Sequence, residues 1–204
     1  MTEKFLDKVY DIGGRDATRD LYNDWAASYD AEVSENGYAT PARCAAALAE
    51  FVEDGSTPIL DIGCGTGLSG LAYRAGGFTV LDGLDLSPEM IAQARARGIY
   101  RTLREVDLED PLPVPEGSYT AVSAVGVLNP GHAPAETLDA VMGILPAGGH
   151  FVFSLNDHAL ADWTYEGRIS GWVDEGGADL VFKAYGEHLP KIDLKSTVYV
   201  LRKR

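Results

Sequence analysis

The stretch Ile59-Leu60-Asp61-Ile62-Gly63-Cys64-Gly65-Thr66-Gly67-Leu68-Ser69-Gly70 limits what this chain can become more than any other. The apolar run over 58–62 reads as a short buried strand. Three glycines follow at alternate positions, and a helix opens near Leu68. Glycine accepts positive φ in a tight turn, and without a Cβ it lets a ligand lie against bare backbone. The helix start behind it offers free N–H groups and the positive end of the helix dipole. Strand, glycine turn and helix in this order predict an α/β protein with a ligand at the carboxyl end of a parallel strand.

Three ligand classes use such a turn. Gly65-Thr66-Gly67-Leu68-Ser69-Gly70 fits the dinucleotide pattern G-x-G-x-x-G. A P-loop needs Lys followed by Ser or Thr after its last glycine, and Leu68 or Leu71 stands there instead, which removes that class. S-adenosylmethionine is the third. A strand–turn–helix joint without any ligand is the plainest alternative.

Composition narrows the field. The 204 residues suffice for one α/β domain, read here as 1–204 with 1–36 as an N-terminal lid segment. No apolar run reaches the roughly 20 residues that span a bilayer. Met1-Thr2-Glu3-Lys4 is mixed in charge and lacks a signal-peptide core, so a cytoplasmic protein without a membrane partner is expected. The net charge of −14 repels a phosphate backbone, which argues against nucleic acid. Arg202-Lys203-Arg204 reads as a solvated basic tail. Cys44 and Cys64 stand without His or Cys at ligand spacing and read as small buried residues, with no metal site expected.

Along the chain, Leu21, Tyr22, Trp25 and Tyr29 recur at helical steps and predict one aromatic helix face. Thr40 and Pro41 are placed to cap and open a helix over 42–52. After the glycine turn, a helix over 68–75 stops at Gly76-Gly77. A second strand over 78–86 contains Asp85, about twenty residues past the turn, where dinucleotide folds carry the acid that bonds ribose hydroxyls. Ser87-Pro88-Glu89 supplies a cap, a first-turn proline and a first-turn acid, and Gly98 ends that helix. Strands are expected over 100–106 and 119–125, with a proline-rich loop over 109–117 between them. A helix over 133–145 and a strand over 150–155 follow. Over 156–177 the pattern predicts a helix near 160–165 and then glycine-rich loops. Strands over 179–188 and 196–201 complete the chain.

Asp61-Ile62-Gly63-Cys64-Gly65-Thr66-Gly67 resembles, at every position, motif I of the class I S-adenosylmethionine-dependent methyltransferases. Tyr22-x-x-Trp25-x-x-x-Tyr29-Asp30 resembles the lid segment YDxWAxxYD of many small-molecule members, with Asn23 in place of Asp. Asp85-Leu86-Ser87-Pro88-Glu89-Met90 is similar to the family's D-x-S-x-x-M/L continuation. Leu145-Pro146-Ala147-Gly148-Gly149 resembles its LKPGG turn without the Lys. Within the superfamily, Gly98-Ile99-Tyr100, Val125-Gly126-Val127-Leu128 and Gly131-His132-Ala133-Pro134 look most like the Williams–Beuren-region methyltransferase-like proteins.

The resemblance implies a Rossmann-like class I fold: a mostly parallel seven-stranded sheet, helices on both faces, and an antiparallel C-terminal hairpin. It implies that Asp61, Gly63, Gly65 and Gly67 hold the methionine part of S-adenosylmethionine, and later of the product S-adenosylhomocysteine. Asp85 would hold the ribose, and Asp107 the adenine beside Leu86, Met90, Leu108 and Val125. Tyr22, Trp25 and Tyr29 would form the lid. The methyl acceptor is expected to be a small molecule entering between the lid, the loop after the fourth strand and the Trp163–Trp172 region. His132, just beyond that strand, is the candidate general base, since its unperturbed pKa of about 6.5 suits proton removal; a loop histidine facing solvent is the alternative. A monomer or homodimer is expected. Two other functions remain open: a non-catalytic protein that binds the cofactor or its product, and a nicotinamide-dependent oxidoreductase. The absence of a second half-fold with its own catalytic Tyr-x-x-x-Lys counts against the second, since that spacing occurs only at Tyr199–Lys203, in the last expected strand and the basic tail.

Overall fold

The computed structural model describes residues 15–204; the first fourteen positions of the expected lid segment lie outside the described residues. Three helices come first, α1 (Arg15–Trp25), α2 (Tyr29–Glu35) and α3 (Thr40–Ala49). The alternating part follows as β1 (Ile59–Ile62), α4 (Leu68–Ala75), β2 (Leu81–Asp85), α5 (Pro88–Ala96), β3 (Thr102–Glu105), β4 (Ala121–Ala124), α6 (Glu136–Ile144) and β5 (His150–Asn156). The chain then forms α7 (Asp157–Ala161), α8 (Trp163–Asp174), β6 (Ala178–Leu189), a 3₁₀ turn at Pro190–Ile192 and β7 (Leu194–Lys203).

The strands make one seven-stranded sheet in the order β3-β2-β1-β4-β5-β7-β6. Pairing is parallel from β3 through β5 and antiparallel where β7 joins β5 and β6. This is the expected class I architecture. The strand order reverses between β1 and β4, so a crevice opens at the carboxyl ends of both, where this class of sheet binds ligands. In β1 and β4 every residue is buried, as parallel strands covered on both faces must be. On one face Leu138 and Met142 of α6 and Ile169 of α8 pack on Phe151 and Phe153. On the other, Leu48 of α3 and Tyr73 of α4 pack on Ile59 and Val152. Cys44 and Cys64 are both free and buried. Among the described residues no helix is long and apolar enough to cross a membrane.

Four local expectations change. The aromatic run is not one helix: α1 ends at Trp25 and α2 begins at Tyr29. Thr40 is the first residue of α3 and Ala39 stands at the cap; the Thr40 hydroxyl bonds His188 Nδ1 (2.7 Å) and Ser196 Oγ (3.0 Å), so the buried hairpin claims the group that a cap would have used. The stretch after Asp162 is a full helix. Asp162 Oδ1 accepts the Thr164 N–H (3.0 Å), and Tyr165 and Ile169, four residues apart, are buried. Burying such side chains stabilises by roughly 1.5–3 kcal/mol each, enough to offset the two glycines within α8 at about 1 kcal/mol each. The basic triplet is not a loose tail, because Arg202 and Arg204 both pair with Asp179 across the β6–β7 hairpin.

Candidate functional site

The carboxyl ends of β1, β2 and β4 and the segment after β3 converge on one cavity, roofed by α1 and the start of α2. Eleven of the fourteen expected site residues line it: Tyr22, Tyr29, Gly63, Gly65, Asp85, Leu86, Met90, Asp107, Leu108, Val125 and His132. They come from six separate parts of the chain. Trp25, Asp61 and Gly67 do not line it.

The glycine turn has the backbone its sequence requires. Gly63, Gly65 and Gly67 all have positive φ, at 64°, 53° and 96°. A Cβ on Gly65 would meet nothing within 4 Å, so this glycine leaves open space beside the cavity wall. A Cβ on Gly63 would lie 2.2 Å from Val127 Cγ2, so that glycine admits the loop after β4.

Asp85 closes β2 and is bolted to the turn. Its Oδ2 accepts the Gly65 N–H (2.7 Å) and its Oδ1 accepts the Ser87 N–H (2.9 Å). Each oxygen keeps acceptor capacity for a further donor. Burial drives the carboxyl up to about 6, against the pull of these N–H bonds. Beyond β3, Asp107 Oδ1 accepts the Glu109 N–H (2.9 Å), which shapes the bend carrying Leu108 along the wall. The side chains of Leu86 and Met90 add apolar surface, and Ser87 caps α5 as expected, accepting the Met90 N–H at 3.1 Å.

Asp61 is turned the other way. It is fully buried in the sheet, and its carboxylate accepts three hydroxyls: Ser69 (2.6 Å), Tyr100 (2.7 Å) and Ser123 (2.6 Å). Burial pushes its pKa up, and the three hydroxyl donors oppose that shift. Its role is to join β1, β4, α4 and the segment after α5, beneath the turn.

The lid is tied down at several points. The Thr18 hydroxyl donates to the Gly131 carbonyl (2.6 Å), and the Ser87 hydroxyl donates to Asn23 Oδ1 (2.6 Å). Asn23, the one departure from the lid pattern, thus serves as an acceptor. Tyr22 meets His132 with ring centroids 5.4 Å apart and its hydroxyl 3.5 Å from either ring nitrogen. Trp25 lies behind them, stacked on Tyr22 at 5.8 Å and edge-on to Tyr29 at 4.7 Å, and is buried with Val33 and Leu189. Its ring lies in the core and supports the lid tyrosines from behind.

Sequence reasoning missed Thr18, Arg19, Ser87, Glu109, Gly126, Val127 and Ala133 as cavity residues. Ser87 and Glu109 directly follow residues already singled out, and Thr18 and Arg19 sit one helical turn before Tyr22; that adjacency was the available signal. The two tryptophans are elsewhere. Trp163 is 80% exposed, and Trp172 donates from Nε1 to Asp139 on α6 (2.8 Å). His158 is the second residue of α7, His150 stacks on Phe51, and His188 is buried against Tyr38; none of the three lines the cavity. Among the described residues no group of three His, Cys, Asp or Glu could hold a metal ion.

Comparison with known proteins agrees with this arrangement. Residues 60–153 match a family described as a methyltransferase domain. The chain is 38% identical over 131 residues to human methyltransferase-like protein 27, covering 63% of this chain and 54% of that protein. It is 29% identical over 128 residues to the 18S rRNA (guanine(1575)-N(7))-methyltransferase of Saccharomyces cerevisiae, covering 56% and 46%. The chain therefore spans about half the length of the curated relatives it matches. Among solved structures, the [4+2]-cyclase SpnF superposes with a TM-score of 0.70 at 15% identity, over 94% of this chain and 97% of that one, a likeness of fold.

Proposed function

We propose that the chain is a class I S-adenosylmethionine-dependent methyltransferase that methylates a small-molecule acceptor inside the roofed cavity, a reading supported by the methyltransferase-domain match over residues 60–153. The observation that carries this reading is the Asp85 carboxylate, held against the glycine turn by the Gly65 N–H with acceptor capacity still facing the cavity. A ribose diol supplies the two donors such a carboxylate can take. The residues present fit the cofactor: Gly65 leaves room for a ligand against backbone, and Leu86, Met90 and Leu108 offer apolar surface beside Asp107.

S-adenosylmethionine, when bound, supplies a methyl group already activated by its sulfonium. What the chain must add is alignment and exclusion of water, and positioning of this kind lowers a barrier by roughly 7–11 kcal/mol. Asp85 and Asp107 hold the nucleoside end, and Tyr22 and Tyr29 cover the cavity. His132, on the loop after β4 and against Tyr22, takes the proton from an acceptor O–H or N–H. His132→Ala is expected to lower kcat by about 100-fold or more while leaving cofactor affinity within about twofold. Steady-state kinetics with calorimetry of S-adenosylhomocysteine checks this; an unchanged kcat removes His132 as the base.

A small acceptor is favoured by α1, which is fastened across the cavity at Thr18–Gly131 and Asn23–Ser87. One relative is named for methylating 18S rRNA, but a net charge of −14 disfavours that class here. The two buried, free cysteines suit a reducing cytoplasm. The deciding experiment is a thermal shift with S-adenosylmethionine, S-adenosylhomocysteine and NAD in parallel, because a ligand bound only by the folded state raises the midpoint. A rise with the two adenosyl compounds alone is expected. A rise with NAD alone, or with none, overturns the proposal. Methyl transfer to small-molecule and RNA acceptors then separates the substrate classes, and binding without turnover of any acceptor points to a regulatory role.

A further inference from the structure

One fastening of the lid differs in kind from the others. Asp30, the second residue of α2, meets two partners from other elements. Thr66 of the glycine turn donates its hydroxyl to Asp30 Oδ1 (2.5 Å), and Arg97, just past α5, pairs its guanidinium Nη2 with Asp30 Oδ2. Arg97 Nε also donates to the Thr66 carbonyl (2.6 Å). The three residues close a ring that ties lid, turn and helix together. Thr66 is buried, and the Arg97 side chain is 23% exposed against 43% for Asp30, so the pair is only partly open to water.

The third glycine of the turn fits this ring. Gly67 does not line the cavity, yet it has φ of 96° and a Cβ there would stand 3.1 Å from Arg97 Cδ. Its missing side chain makes room for Arg97. Tyr29, immediately before Asp30, lines the cavity together with Gly63 and Gly65. A second, smaller recess shares Tyr29, Gly63, Gly65 and Val125 and adds Tyr38 and Thr66. Tyr29 therefore stands over both recesses, and its position follows from where Asp30 is held.

We propose that Arg97 is a positioning residue of the cofactor site, which through Asp30 and Thr66 latches Tyr29 over the glycine turn, so that release of the cofactor requires the latch to open. This rests on the cofactor reading above. Because Thr66 belongs both to the latch and to the turn, the coupling is reciprocal: ligand on the turn holds the lid, and the latched lid retains ligand. Thr18–Gly131 and Asn23–Ser87 are bonds between neutral groups, whereas the latch contains an ion pair, which added salt weakens.

The test follows S-adenosylhomocysteine dissociation by stopped flow in the full chain, with Arg97→Gln, Arg97→Lys and Asp30→Asn beside the wild type, and ligand-free thermal midpoints in parallel. Arg97→Gln and Asp30→Asn are expected to raise the off-rate about tenfold with association little changed. Arg97→Lys restores part of the loss, and added NaCl speeds release from the wild type but not from Arg97→Gln. An off-rate unchanged in a folded Arg97→Gln, or a wild-type off-rate indifferent to salt, overturns the latch. Should Arg97→Gln not fold, the wild-type salt dependence alone decides. Should the wild type bind no S-adenosylhomocysteine, the cofactor reading fails first. Hydrogen exchange over 26–35 in the ligand-free proteins then judges the lid contact, with faster exchange in Asp30→Asn supporting it and equal exchange overturning it.

Discussion

Asp61→Ala is expected to destabilise the protein by about 3 kcal/mol, lowering its thermal midpoint by roughly 6–12 °C. Three buried hydroxyls, on Ser69, Tyr100 and Ser123, would lose their common acceptor. Each orphaned donor costs about 1–3 kcal/mol, while removal of a carboxylate that burial already penalises returns part of the sum. These donors reach Asp61 from α4, from the segment after α5 and from β4, so the loss is spread across the base of the glycine turn. Asp61→Asn, which keeps one acceptor oxygen, should cost less. Thermal melts of the two ligand-free variants test this order. A midpoint for Asp61→Ala within 2 °C or so of wild type would show that the three hydroxyls find other partners.

The second large effect concerns Asp85 and binding. Asp85→Ala should weaken S-adenosylhomocysteine by about 1–3 kcal/mol, or roughly 5- to 150-fold, through loss of charge-assisted bonds to the ribose. The same carboxyl sets a pH dependence. Its folded pKa is raised from 3.8 to about 6 by burial. In the free protein, the stability this group contributes is fully present below about pH 4 and lost as the pH rises through 6. Binding runs with the opposite sign, since ribose hydroxyls donate to the ionised form. Affinity should therefore fall as the pH drops through about 6, and binding near pH 6 should release a proton. Calorimetry at pH 6 in two buffers of different ionisation enthalpy reads that proton directly. Equal apparent enthalpies, or an Asp85→Ala variant that binds like wild type, would remove Asp85 from the ribose site.

These two acids show how far local pattern reaches. Both stand at the positions where the family pattern has an acid, and both were expected to touch the cofactor. Asp85 closes its strand at the crevice, so its side chain leaves the sheet there and lines the cavity. Asp61 lies inside β1, paired in register with Gly83 on one side and Ser123 on the other. Alternation along β1 sends its side chain to a face covered by α4, and no spacing rule distinguishes that face from the ligand's. The glycines divide in the same way. All three needed positive φ, which the pattern announces, but only contacts between distant segments reveal what each missing Cβ makes room for. At Gly63 it is Val127, at Gly65 open space, and at Gly67 Arg97.

The sequence alone determined the architecture and the location of the site. Apolar runs, glycine stops and helix caps act over a few residues, and they specified alternating strands and helices with a ligand turn after β1. The tertiary structure alone decided which residues line the cavity. Side-chain placement depends on what packs against it, as Val33 and Leu189 do at Trp25, and on which distant group competes for a hydrogen bond, as His188 and Ser196 do for Thr40. The latch of Asp30, Thr66 and Arg97 was likewise beyond reach. Thr66 is 36 residues from Asp30 and 31 from Arg97, and only the folded sheet brings the two charges, 67 residues apart, within bonding distance.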